Sequence, residues 1–128
     1  MIYRHTPVLV EESIGFIPFK SGITVVDCNL GEGGHSSIIA EKLQNFDDTL
    51  LIGFERDKRI LEKAKKRLEQ YSDSTVLVND NFINLRSVLD NLSIEKVDAI
   101  LFDLGISSFH YFDDDRGFTF MTNQSLDM

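Results

Sequence analysis

Three groups of residues have the types and spacing to act on one ligand, and each follows an apolar run. The first is Asp27-Cys-Asn-Leu-Gly-Glu-Gly-Gly-His-Ser36, which closes the β-branched run Ile23–Cys28. Gly31, Gly33 and Gly34 let the backbone approach a ligand closely or adopt positive φ; a simple tight turn would use the same residues. Ser36 stands where a dinucleotide fingerprint has its third glycine, which counts against a nicotinamide cofactor without excluding it. The second group is Glu55, 24 residues after Gly31, at the end of the run Leu50–Glu55. Its two carboxylate oxygens suit the paired hydroxyls of a ribose; a solvated strand-end acid is the plain alternative. The third is Asp103-Leu-Gly-Ile-Ser-Ser108, which ends the run Val97–Asp103. Asp103, Ser107 and Ser108 would supply a carboxylate and two hydroxyls beside a cofactor's reactive end, unless Asp103 only caps the next turn. The glycine loop and the acid together indicate an adenosine-containing cofactor, and do not choose among such cofactors.

These groups need a scaffold that brings strand ends together. The runs Ile23–Cys28, Leu50–Glu55, Thr75–Val78 and Val97–Asp103 alternate with helical patterns, the arrangement of a parallel α/β sheet. Near-continuous apolarity predicts strands buried on both faces. Ser36–Leu43 has helical spacing, and Lys58–Tyr71 places Ile60, Leu61, Ala64 and Leu68 on one stripe with Asp57 as its cap. Leu85, Val88, Leu89 and Leu92 predict a third crossover helix, and a further helix is expected around Pro7–Phe16. In such sheets ligands bind outside the carboxyl ends of the strands.

The 128 residues suit one domain with a modest core. No apolar run approaches the roughly 20 residues that span a bilayer, and the N-terminus lacks a signal peptide's apolar core. A single cysteine, Cys28, precludes an internal disulfide and fits a reducing cytoplasm. His35 and His110 have no obvious third partner, so no metal is expected. The net charge of −8 is unfavourable for contact with phosphate. Seven of the thirteen basic residues lie between Arg56 and Arg67, interleaved with Glu55, Asp57 and Glu62, the pattern of a solvated helix face. Composition therefore gives no support for nucleic-acid binding by this chain.

Together the segments His5-Thr-Pro-Val-Leu, Gly-Glu-Gly-Gly-His-Ser36, Glu55-Arg-Asp57, Asn81-Phe82, Asp103–Ser108, Arg116-Gly-Phe-Thr-Phe120 and Leu126-Asp-Met128 closely resemble the MraW (RsmH) family of small-subunit rRNA cytidine-N4 methyltransferases. The resemblance runs over essentially the whole chain and implies a class I methyltransferase (Rossmann-like) parallel sheet, here about four strands with flanking helices. It further implies S-adenosyl-L-methionine as methyl donor and a cytidine of 16S rRNA as acceptor. By position Gly33, Gly34 and His35 match the family's cofactor loop and Glu55 its ribose acid. Phe82 and Asp103 match further cofactor contacts, and His110 falls where the family has glutamine. Glu55 replaces the usual aspartate, Phe109-His110 a proline-glutamine pair, and Asn123-Gln-Ser125 an Asp-Gly-Pro, which marks a divergent member.

Cytosine N4 is a poor nucleophile because its lone pair is delocalised, so positioning and electrostatics should outweigh a strong base. Asp103 is expected to orient the cofactor's charged end and place the amine, with Ser107 and Ser108 at the base's entrance. Phe109, Tyr111, Phe112, Phe118 and Phe120 would stack on a flipped base or form a lid. Residues 1–108 are read as a partial cofactor-binding core and 109–128 as an aromatic, acidic segment leading into a missing substrate domain. The missing part would carry the basic RNA surface, and the chain alone is expected to be inactive. Strand four, left as an apolar edge, should favour self-association. A non-catalytic cofactor-binding or assembly module remains the alternative, with a nicotinamide oxidoreductase behind it.

Overall fold

The computed structural model describes residues 10–102. The helix expected around Pro7–Phe16 is seen as α1 (Val10–Gly15). After it β1 (Thr24–Asp27), α2 (Gly34–Leu43), β2 (Leu50–Phe54), α3 (Lys58–Arg67), β3 (Thr75–Val78), α4 (Leu85–Asn91) and β4 (Ala99–Leu101) alternate. The four strands form one parallel sheet in the order β3-β2-β1-β4.

That order follows from handedness. Crossovers between parallel strands are right-handed, so successive steps in one direction put their helices on one face, and a step back puts the next on the other. α2 and α3 lead from β1 through β2 to β3 and share a face with Val25 and Leu51. The chain then returns past β1 to β4, and α4 covers the opposite face with Val26, Ile52 and Phe54. The reversal falls between β1 and β4, where their carboxyl ends leave a crevice.

The central strands are as buried as their apolar runs require. Val25, Val26, Leu51 and Ile52 are fully enclosed. Within β2, Gly53 meets a neighbour at close range: a Cβ there would lie 2.9 Å from Leu30 Cδ1. The missing side chain lets Leu30, from the loop after β1, settle on the sheet, and its amide donates to the Phe54 carbonyl at 2.9 Å.

Burial on both faces fails for β4, whose Ile100 is 44% exposed, with Phe102 just after it 53% exposed. β4 pairs with β1 alone among the described residues, and α4, seven residues long, buries none of its own side chains completely. The strand is also shorter than its apolar run. Just before it, Asp98 exchanges two bonds with Thr24, accepting from its amide through Oδ2 and donating to its carbonyl, both at 2.8 Å.

The helix expected over Lys58–Tyr71 is shorter than its stripe: α3 stops at Arg67 and a 3-10 turn, Glu69–Ser74, follows. The chain has to reverse there to deliver Thr75 to β3. The Tyr71 carbonyl accepts from Thr75 Oγ1 at 2.7 Å, which holds the reversal. At the other end of α3 the expected cap is present, with Asp57 Oδ1 accepting from the amides of Arg59 and Ile60 at 2.9 and 3.4 Å.

Candidate functional site

The register sets the carboxyl ends of three strands side by side. Asp27 is level with Gly53 of β2 and Leu101 of β4. One step on, the Cys28 amide donates to the Leu101 carbonyl at 2.9 Å, and the Glu55 amide to Val78 at 3.0 Å. The glycine loop, Glu55 and the turn bearing Phe82 therefore all leave the same edge of the sheet.

The loop is shaped by backbone conformation. Gly31 has φ +56° and Gly33 +89°, values that side chains other than glycine adopt only at a cost. Gly33 is the N-cap of α2 and uses no side-chain cap. Gly34 and His35 form the first turn of that helix, both buried. A helix start reached through such a loop aims its first amides out of the sheet edge, which suits a polar or anionic group.

Beneath the loop lies a polar lock. Asp27 is 1% exposed; its Oδ2 accepts from the hydroxyl of the fully buried Ser36 at 2.7 Å, and its Oδ1 from the Asn29 amide at 3.2 Å. A buried carboxylate is tolerated only when its lone pairs are met. Ser36, in sequence a mere departure from the third glycine, is the residue that ties α2 to the end of β1. The serine was visible; its partner, nine positions away, was not.

Glu55 is half-buried just past β2, where its Oε2 accepts from the Asp57 amide at 2.7 Å. That bond fixes the carboxylate's direction, as a hydroxyl-binding acid requires. Asn79, which sequence reasoning passed over, clamps the neighbouring strand end: its Nδ2 donates to the carbonyls of Glu55 and Arg56 at 2.9 and 3.1 Å. Asp80 Oδ1 then accepts from the Asn81 amide and from Asn84 Nδ2, and Asn81 Oδ1 from the Ile83 amide. These bonds hold the 3-10 turn Phe82–Asn84. Phe82 meets Phe102 edge to face, ring centres 5.6 Å apart.

Cys28 points to the α4 face and is buried. Burial, with the charge of Asp27 adding to it, raises its thiol to about 11, so the group is neutral at ordinary pH and no nucleophile. No set of three or more His, Cys, Asp or Glu side chains among the described residues could hold a metal ion. Asp103, Ser107, Ser108 and His110 lie outside the described residues.

A parallel sheet with its reversal beside β1, a glycine loop entering α2 and an acid after β2 define the fold of the class I methyltransferases. Solved structures share it. A putative rRNA-methylase from Clostridium thermocellum aligns with TM-score 0.64 and 23% identity, over 84% of this chain and 56% of that one. NSun6 from Pyrococcus horikoshii aligns with TM-score 0.58 and 23% identity, over 80% of this chain and 24% of that one. The chain belongs to the MraW methylase family, which it matches over residues 2–128. It is 42% identical over its whole length to the ribosomal RNA small subunit methyltransferase H of Finegoldia magna, covering 40% of that protein. The chain thus spans about 40% of the length of the curated relatives it matches.

Proposed function

We propose that this chain is the cofactor-binding portion of an S-adenosylmethionine-dependent methyltransferase that acts on N4 of a cytidine in small-subunit rRNA. One juxtaposition supports this above all: a positive-φ glycine loop at the reversal of the sheet, locked from below by Asp27 and Ser36, with an oriented Glu55 at the end of the next strand. An adenosine site in a methylase family implies a methyl donor that carries adenosine. The cradle fits such a group, since open space lies beside Gly31, Gly33 holds a positive φ at the start of α2, and the carboxylate of Glu55 is already held by the Asp57 amide.

In this reading the amides entering α2 and the glycines Gly31, Gly33 and Gly34 hold the cofactor's polar end, with His35 in the first turn beside them. Glu55 accepts the ribose hydroxyls, and Phe82 supplies an apolar wall. Asp103, next in sequence after Phe102 and the end of β4, orients the charged end and the acceptor amine. Ser107 and Ser108 line the base's entrance, and His110 contributes a pocket-side contact. When bound, the cofactor supplies an electrophilic methyl group. The protein's part is to align and desolvate, because the amine is weak.

Residues 1–108 are then the cofactor core, and 109–128 lead toward the acceptor-binding part. The function implies a cytoplasmic protein, and no described helix is long and apolar enough to cross a membrane. The edge of β4, with Ile100 and Phe102 exposed, favours pairing with a second copy; a concentration-independent monomer in sedimentation would count against that.

Calorimetric titration of S-adenosylmethionine and of NAD into the chain tests the cofactor. Binding of the first, weakened roughly 10- to 100-fold in Glu55→Ala as loss of charge-assisted hydrogen bonds implies, supports the reading. Preference for NAD overturns it. Radiolabelled methyl transfer to rRNA separates a catalyst from a module that only binds cofactor.

A further inference from the structure

The basic stretch Arg56–Arg67 reads in sequence as a solvated helix face with its charges balanced by neighbours. The fold distributes these charges unevenly. Asp57 turns inward as the N-cap of α3 and is 6% exposed, its Oδ1 taking helix amides. Glu62 is engaged with Lys65 at 3.3 Å. All seven cations of the stretch are exposed. Among the described residues Arg56, Lys58, Lys66 and Arg67 make no hydrogen bond or ion pair through their side chains. Seven cations against two acids leave the stretch at +5 within a chain of −8, a segregated field rather than a mixed surface.

Helix stability does not account for it. Lys65, Lys66 and Arg67 sit in the last turn, where cations favour the helix dipole. Lys58 and Arg59 occupy the first turn, where the dipole opposes them, directly after the N-cap Asp57. Arg56, Lys58 and Arg59 lie just beyond Glu55, on the rim of the sheet edge that carries the candidate site. From the rim, Arg59, Lys63, Lys66 and Arg67 continue along one face of α3 at i, i+4, i+7 and i+8. Lys63 joins that face to the glycine loop through Glu32 at 3.5 Å. The face is about 12 Å long at about 1.5 Å per residue, long enough to meet more than one phosphate of a strand.

We infer that the exposed cations of α3 and its rim form a docking surface for the RNA phosphate backbone. It rests on the reading of an RNA-modifying enzyme given above. Arg56 and Lys58 follow β2, on the same edge of the sheet as the crevice and one strand away from it.

The test is binding of this chain to a short RNA hairpin with unpaired cytidines, measured against salt. Neutralising Arg56 and Lys58 together (R56Q/K58Q) should flatten the slope of log K against log salt by about 1.4–1.8, roughly 0.7–0.9 for each phosphate contact. Neutralising Lys66 and Arg67 (K66Q/R67Q) should act alike, and K20Q/K96Q, elsewhere on the surface, should leave the slope unchanged. Melting temperature should hold or rise in R56Q/K58Q, because Lys58 opposes the helix dipole. Unchanged slopes in both α3 variants, equal losses in K20Q/K96Q, no RNA binding at low salt, or equal competition by polyglutamate would each overturn the inference. The cofactor titration of the same variants keeps the two readings apart: intact S-adenosylmethionine binding with salt slopes unmoved sinks only this surface.

Discussion

The two faces of the sheet are packed differently, and the site uses each for a different purpose. The α2–α3 face encloses eleven buried apolar residues among those described, from Ile14 to Leu68. The α4 face encloses four, Val26, Cys28, Ile52 and Phe54, ringed by partly covered side chains. The glycine loop belongs to the first face: Leu30 rests on Gly53, and Gly33 lies against Ala64 and Leu68. The Asp27–Ser36 lock sits there too. Phe82 and Phe102 lie toward the second face, where Phe102 is half-exposed. A loop that binds through backbone amides needs a fixed backbone, because a shift of an ångström forfeits its hydrogen bonds. An aromatic wall tolerates adjustment, since apolar contact has no direction. Dense packing is found where geometry has to be held.

The contrast can be broken first at its core. Leu51→Ala, on the dense face, should cost about 2–5 kcal/mol in urea unfolding. Ile100→Ala, on β4 toward the looser face, should cost under about 1 kcal/mol. Equal losses would erase the distinction. Next in size is the lock. Ser36→Ala leaves a buried carboxylate oxygen without its hydroxyl donor and should cost about 1–3 kcal/mol. An unchanged midpoint would show that Asp27 finds another donor without help from α2.

Asp57→Ala removes the cap that starts α3 and should lower stability by about 0.5–2 kcal/mol, readable as a fall in melting temperature. Asp57→Asn should restore most of it, because the amide oxygen also accepts from the first-turn amides. The effect at Cys28 is confined to alkaline pH and probes the looser face. Its thiol ionises near 11 when folded and near 9 otherwise. The folded state therefore favours the neutral form, so the contribution is complete below pH 9 and is lost as pH rises through 11. Between those limits the melting temperature of the native chain should fall more steeply than that of Cys28→Ala. Parallel curves would mean that water reaches the thiol and that this face is open even at its centre.

Much of the arrangement could be read from particular residues. The run Thr75–Val78 matches its strand end for end, and Asp57 was legible as a cap because a capping residue acts on the amides just ahead of it. Gly31, Gly33 and Glu55 stood out because strand-end glycines and acids are rare without a reason. Asn79 did not, since an asparagine after a strand is ordinary until the neighbouring strand end is seen to need its amide. Gly53 carried a signal, as glycine inside a strand marks a close approach, but nothing named Leu30 as the residue that approaches. α3 was expected too long because its apolar stripe runs on through Leu68, and periodicity does not show where the chain has to turn back to the sheet.

By itself the sequence determined what period and local chemistry encode: four apolar strands, amphipathic crossovers, the α3 cap, and a glycine loop and acid that single out one edge of the sheet. Tertiary structure decided which residues meet across long separations. It set Ser36 on Asp27, Leu30 on Gly53 and Asn79 on the carbonyl of Glu55. It also turned Asp57 inward and left the cations of α3 outside. Charge order along a chain does not say which charges share a surface, because helix and cap geometry assign each side chain its direction.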